Sequence, residues 1–261
     1  MRSRRALVLA AGCLIAAGHQ DDAPRYRAAS LDCTRWSESS RSQIETSANG
    51  HSGKASAGRD GILRLRAVDT TRGISLEGWY DSLSVWRRTG DDELMPDTDG
   101  LIGGRYRGLL GARGGYAAFV TPFVPDEVAE VADLAGALDD LFPALPTTSL
   151  APGASWGDSA LALRRLSDTV VAGRRLQRFA LTSRRERRET VPRGDTIPVP
   201  LRQTITEEGE FEWDPARGLE RRARTIRVET SIPPNKQIRQ AVRSRVEQEI
   251  ELVRLPAVRC E

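Results

Sequence analysis

From Arg239 to Leu252 the chain alternates in character at almost every residue. Arg239, Arg243, Arg245, Glu247, Glu249 and Glu251 hold odd positions, while Val242, Val246, Ile250 and Leu252 hold even ones. The apolar residues alone, often four apart, would also suit a helix. The charges exclude one, because charge at nearly every second residue would encircle a helix but lies on one face of a strand. A strand with one wet and one dry face belongs to an antiparallel sheet, since parallel sheets are normally covered on both sides.

The same pattern recurs upstream. Phe211 and Trp213 alternate with Glu210 and Glu212, Asp214 to Gly218 reads as a turn, and 219–230 reads as the return arm of a hairpin. Further strands are expected over 31–36, 43–47, 62–68, 74–86, 101–110, 116–120, 159–166, 176–183 and 201–206. Asn49-Gly50, Gly58 to Gly61, Asp69 to Gly73, Gly90 to Gly100, Gly111 to Gly115 and Gly173 punctuate them, and Pro192 to Pro200 breaks the pattern. Trp156 stands at a strand entrance as a structural anchor. About ten strands joined by short turns make a sheet wide enough to curl.

One stretch differs. Val124, Val128, Val131, Leu134, Ala135, Leu138, Leu141, Phe142 and Leu145 recur at spacings of three and four, the stripe of an amphipathic helix. Pro125 suits its first turn, Asp126 and Glu127 suit the positive end of its dipole, and Pro143 and Pro146 stop it. The other face is acidic, with no Lys or Arg between Arg113 and Arg164. The expected fold is therefore α+β: a large curved antiparallel sheet, a half-barrel or open barrel, with one main helix (124–142) packed on it. Val128, Val131, Leu134, Leu138, Leu141 and Phe142 form the face that lines either a solid core or an apolar ligand cavity. The acidic face is solvated or docks a basic partner.

The amino terminus reads as an export signal. Arg2, Arg4 and Arg5 precede an apolar run from Ala6 to Gly18, too short to span a bilayer as a helix, with small residues for cleavage before His19. In a second reading Leu9-Ala10-Ala11-Gly12-Cys13 is a lipobox and Cys13 a lipid anchor. The expected organisation is a signal peptide (1–18), a polar tether (19–30) and a single β-rich domain (31–261), exported to the periplasm or beyond. Past the leader, Cys33 and Cys260 remain, one near each end, and an oxidising compartment favours their pairing. No later segment is long and apolar enough for a membrane-spanning helix.

Composition narrows the chemistry. The net charge is +3, and 39 basic residues face 36 acidic ones, with no interleaved nucleic-acid module. Only Lys54 and Lys236 are lysines, an arginine bias of codon usage. The densely charged 184–189 segment reads as a solvated strand end or as a basic patch for anionic lipid or polysaccharide. His19 and His51 are the only histidines, so neither a Ser-His-Asp triad nor a zinc site finds its residues. Asp97-Thr98-Asp99-Gly100 starts like a calcium loop, but Leu101 takes the place of an oxygen ligand and no Glu closes it. No phosphate loop, dinucleotide motif or other cofactor signature is present. Paired carboxylates for hydrolysis stay open, since their spacing through space is invisible here.

The hairpin with Phe211, Trp213, Asp214 and Gly218, followed by long amphipathic strands, resembles the lipoprotein-carrier half-barrels of the LolA and LppX type over 31–255. An envelope family of similar architecture fits as well. The resemblance implies acyl chains held beneath a curled sheet, and transfers no functional residue. The expected protein is a non-enzymatic component of the bacterial envelope that binds a lipid or other hydrophobic ligand. Its alternatives are a solid-core scaffold with an envelope protein partner and a carboxylate hydrolase.

Overall fold

The computed structural model describes residues 23–48, 50–134, 136–138, 141–193, 197–234 and 240–257. The expected leader, Cys13 and Cys260 lie outside them. Thirteen strands make one sheet: β1 (Thr34–Ala48), β2 (His51–Thr70), β3 (Gly73–Thr89), β4 (Asp92–Leu94), β5 (Tyr106–Leu110), β6 (Tyr116–Val120), β7 (Ser155–Gly157), β8 (Leu161–Arg165), β9 (Thr169–Val171), β10 (Arg174–Arg193), β11 (Ile197–Asp214), β12 (Gly218–Ile232) and β13 (Val242–Arg254). The order is β6-β5-β3-β2-β1-β13-β12-β11-β10-β8-β7, with β4 on β3 and β9 on β10. Every ladder between these strands is antiparallel.

The two chain halves meet at the centre. β1 pairs with β13, and each half meanders outward from that pair to its own edge. The segment between β6 and β7 returns from one edge to the other. Laid flat, ten strand spacings would part the edges by about 48 Å. Yet the Thr147 carbonyl accepts a hydrogen bond from Arg113, in the β5–β6 turn, while its hydroxyl accepts one from Trp156 of β7. The sheet is therefore strongly curled, with residues 121–154 spanning its mouth. It is open, not a closed barrel.

The expected 124–142 helix is not there. Among the described residues helix is confined to the short α1 (Ala28–Leu31), a 3-10 turn (Asp99–Leu101) and α2 (Asp126–Ala129), so the fold is mostly one large antiparallel sheet and meets the α+β expectation only roughly. Beyond α2 the described residues form turns and extended chain. The carbonyls a helix would have used are taken by arginines from the sheet. Asp133 O accepts from Arg59 and Glu130 O from Arg87, while Arg113 donates to Pro146 O. Acidic residues with no basic neighbour, and Gly136 inside the run, leave the helix little local support. Burial nevertheless follows the stripe: Val128, Leu134, Leu138, Leu141, Phe142 and Leu145 are all buried. Apolar contact with the sheet selects these positions whether or not the backbone coils.

The strands are also longer and more numerous than expected. The Pro192–Pro200 break is part of one hairpin, in which Pro192 faces Pro198 and Thr190 faces Pro200. Past Arg202 that hairpin has left β12, and past Ser183 it has left β8, so its outer edges carry no ladder bonds for proline to interrupt.

The core gathers at one end of these strands. Trp36, Leu63, Tyr80 and Leu65 sit beneath the spanning segment, and Phe179 stacks on Phe211 at 4.9 Å. Tyr26, ahead of α1, packs edge-on against Phe142 and Trp213 and donates its hydroxyl proton to Pro143 O. Gly78 makes Leu138 possible: a Cβ there would lie 3.0 Å from Leu138 Cδ1 and 3.1 Å from Leu65 Cδ2. The opposite face carries the alternating charges, paired in ladders such as Arg221–Glu251 (2.6 Å), Arg178–Glu210 (2.6 Å) and Arg41–Asp60 (2.8 Å). Each such exposed pair contributes about 0–1 kcal/mol.

Candidate functional site

The inner face changes character along the strands, and the registers show how. One row across the ladders reads Glu38, Leu252, Arg222, Phe211. The next reads Arg59, Ser40, Ile250, Arg224. The third reads Ala57, Ser42, Gln248, Ile226, Glu207. The fourth is apolar throughout: Ala55, Ile44, Val246, Val228, Ile205. Charged residues thus occupy inward positions close to the core, and an apolar row follows towards the strand ends.

Beneath the spanning segment these rows enclose a cavity of about 670 Å³. Its floor is Glu38, Arg59, Arg222, Arg224, Gln248 and neighbouring apolar residues, and its roof includes Val131, Ala132, Asp133 and Leu141. A second hollow, about 890 Å³, lies further along the same strands among Thr46, Ser52, Thr204, Thr230 and Ser244. Ile44 and Val246 of the apolar row line the first cavity on the side towards the second.

Two ion-pair clusters shape the cavity. Glu38 and Arg59 are buried partners, and Tyr80 donates its hydroxyl proton to the other Glu38 oxygen at 2.7 Å. Burial lifts the Tyr80 hydroxyl well above its ordinary pKa, and the Glu38 charge adds to this, so it remains a donor. Burial opposes the Arg59 charge, but Tyr80 and Glu38 leave its pKa raised. Arg59 also donates to Asp133 O at 3.1 Å, tying floor to roof, while its buried Nε has no acceptor among the described residues. In the second cluster Glu207 accepts from Arg222 at 2.5 Å and from Arg224 at 3.3 Å. Burial disfavours the Glu207 charge most, yet the two guanidiniums outweigh it and hold the carboxyl below its usual range. Burial, with Arg224 beside it, draws Arg222 below the ordinary arginine value against the pull of Glu207. Gln248 donates to Ser40 Oγ at 2.8 Å between the clusters.

Of the residues expected from the sequence, Val131 and Leu141 line the cavity. Val128, Leu134, Leu138 and Phe142 are buried in the core and do not line it. Cys33 precedes β1 with a left-handed φ of 57°; Cys260 and Cys13 lie outside the described residues. His51 is exposed at the start of β2. In the Asp97–Gly100 loop Asp97 accepts from Asp99 N, and Thr98 is buried, donating to Leu83 O. Among the described residues no three His, Cys, Asp or Glu side chains converge as metal ligands, and no helix is long and apolar enough to cross a membrane. The cavity charges escaped the sequence reading. Their one local signal is phase: Glu38 lies two residues from Trp36 on the same face, and Arg222 lies directly across from Phe211, so charge stands where the pattern calls for an apolar side chain.

No family model matches the sequence and no curated protein is similar to it. Among solved structures, lipovitellin, in a study of its lipid–protein interactions, superposes on 88% of this chain with a TM-score of 0.51 at 10% identity. This chain spans 26% of that one. At such identity the likeness is one of fold, and it is to lipovitellin that it runs, not to the LolA and LppX carriers in particular. The chain shares with that structure an open, curled antiparallel β-sheet fold.

Proposed function

We propose that this protein is an exported, non-enzymatic component of the bacterial envelope that holds a lipid or similar amphiphile against the inner face of its sheet, as the LolA and LppX type carriers do. The observation that carries the reading is the apolar row of Ile44, Val246, Val228 and Ile205. These side chains are half-buried on the inner face; Ile44 and Val246 line the first cavity, and the strands continue from the row to the second hollow. Apolar surface arranged in a trough is favourably removed from water by an acyl chain, at about 25 cal/mol per Å². The leader supports export, with Gly18 cleavage or Cys13 lipidation as the two routes.

Two features weigh against the alternatives. The cavity argues against a fully packed scaffold. The cavity carboxylates Glu38 and Glu207 are each engaged by arginine, and Glu207 holds its charge too firmly to act as a general acid.

The test is to purify the full chain from a native envelope without detergent and analyse an organic extract by mass spectrometry. Stoichiometric co-purifying lipid is expected. Repeated recovery of lipid-free protein that also fails to take up a lipid probe would refute the assignment.

A further inference from the structure

Taking that reading as its basis, we propose that the amphiphile carries an anionic headgroup and is held head-inward, its oxyanion against Arg59 and Arg224 beneath the spanning segment and its tail running out along the apolar row. The shared chemistry is a terminal oxyanion, either a carboxylate or a phosphate.

Three observations converge on it. The first is donor supply. Arg59 and Arg224 both line the cavity, Arg59 Nε is buried without an acceptor among the described residues, and Arg224 donates to Glu207 at 3.3 Å. An oxyanion in the cavity supplies the acceptors, and guanidinium–oxyanion bonds are among the stronger ones.

The second is placement. Arg59 and Arg224 lie in one register row with Ser40 and Ile250 between them, both reaching into the cavity. Three strand spacings separate their backbones by about 14 Å, a gap that two arginine side chains and a headgroup together fill. Arg185, from the charged segment after β10's core region, lines the same cavity and is exposed, a third cation where a headgroup would enter. Glu38, which lines the cavity, and Glu207, beside it, are already engaged by arginines, and Asp133 lines the roof.

The third is direction. From Arg224 the inner face of β12 continues through Ile226 and Val228 and, past Thr230, to Ile232, about 26 Å at strand rise. One acyl chain occupies about half of the ~30 Å hydrocarbon thickness of a bilayer. The tail therefore fits on the apolar side of the charged rows, and the reverse orientation would press it against Glu38, Arg59 and Arg222.

The experiment uses three probes that share a sixteen-carbon tail: palmitate, hexadecyl phosphate and neutral hexadecanol. Binding to the full chain is read by tryptophan fluorescence. At least one anionic probe is expected to bind about tenfold more tightly than hexadecanol. The tighter anion identifies carboxylate or phosphate as the headgroup. Arg224→Gln should bring that anion down to the affinity of hexadecanol and leave hexadecanol itself unchanged. Arg185→Gln, at an exposed position, should weaken the anions several-fold without altering the fold, which keeps the inference testable if Arg224→Gln fails to fold. Equal binding of all three probes, or variants that weaken charged and neutral probes alike, would overturn the headgroup assignment alone. No binding of any probe would instead overturn the lipid-holding function.

Discussion

Glu38 and Arg59 form the floor of the cavity, and a double-mutant cycle across them tests whether that floor works as a unit. Their side chains are 6% and 11% exposed, so both charges are almost wholly withdrawn from water. Glu38→Leu strands the Arg59 cation and leaves Tyr80 without its acceptor. The first effect should cost about 3–5 kcal/mol and the second about 1–3 kcal/mol. Arg59→Met strands the carboxylate and cuts the tie to Asp133 O, for about 3–5 kcal/mol. Against a typical total stability of about 5–15 kcal/mol, either loss alone is severe. The double variant Glu38→Leu/Arg59→Met buries no unpaired charge. It should be far more stable than the summed singles imply, short of the parent mainly by the about 1–3 kcal/mol of the Tyr80 hydroxyl left without its acceptor, because a buried pair repays little more than its own desolvation. Urea unfolding followed by tryptophan fluorescence measures all four proteins, with Trp36 in the same core as a reporter. Additive singles, with the double variant as unstable as their sum, would show that the two residues do not compensate each other. The description of the cavity floor as one ion-paired unit would then be wrong.

Two further outcomes are expected. Glu207 has its pKa depressed in the folded state, so its contribution to stability is complete above its ordinary value of 4.5 and drains away as pH falls below that, through the folded value. Acid unfolding of the parent should therefore be steeper below that value than that of Glu207→Gln, and parallel curves would contradict the assignment. Cys33 and Cys260 should be joined in protein recovered from the envelope. The Arg35 carbonyl accepts from Leu255 N at 2.8 Å, which brings the chain ends on the two sides of that pair together. Intact mass after alkylation without reduction should show neither of the two cysteines alkylated, and reduction should lower stability by up to about 5 kcal/mol; two alkylated cysteines in the unreduced protein would refute the pairing.

The antiparallel ladders were legible in the residues themselves. Alternation of period two states which side chains share a face, so the 243–251 charges and the Phe211/Trp213 pair announced their strands, and the glycine turns announced where the chain reverses. The apolar stripe of 124–145 likewise named residues that are buried. Its backbone was not legible. Spacings of three and four satisfy a helix, but they are also met by irregular chain pressed on a sheet, and hydrogen bonds donated to its carbonyls by Arg59 and Arg87 of distant strands and by Arg113 of the β5–β6 turn decided for the latter.

The cavity was hidden for a related reason. Arg221 and Arg222 are neighbours of identical type, yet Arg221 is exposed on the outer ladder with Glu251, while Arg222 is buried against Glu207. Alternation places them on opposite faces without saying which face turns inward, or what stands across from it four strands away in space. Local chemistry thus determined the strands, the turns and the buried positions. Only the curl of the sheet, which brings Thr147 against both its edges, decided that charged rows meet beneath a roof and apolar ones lie open beyond it.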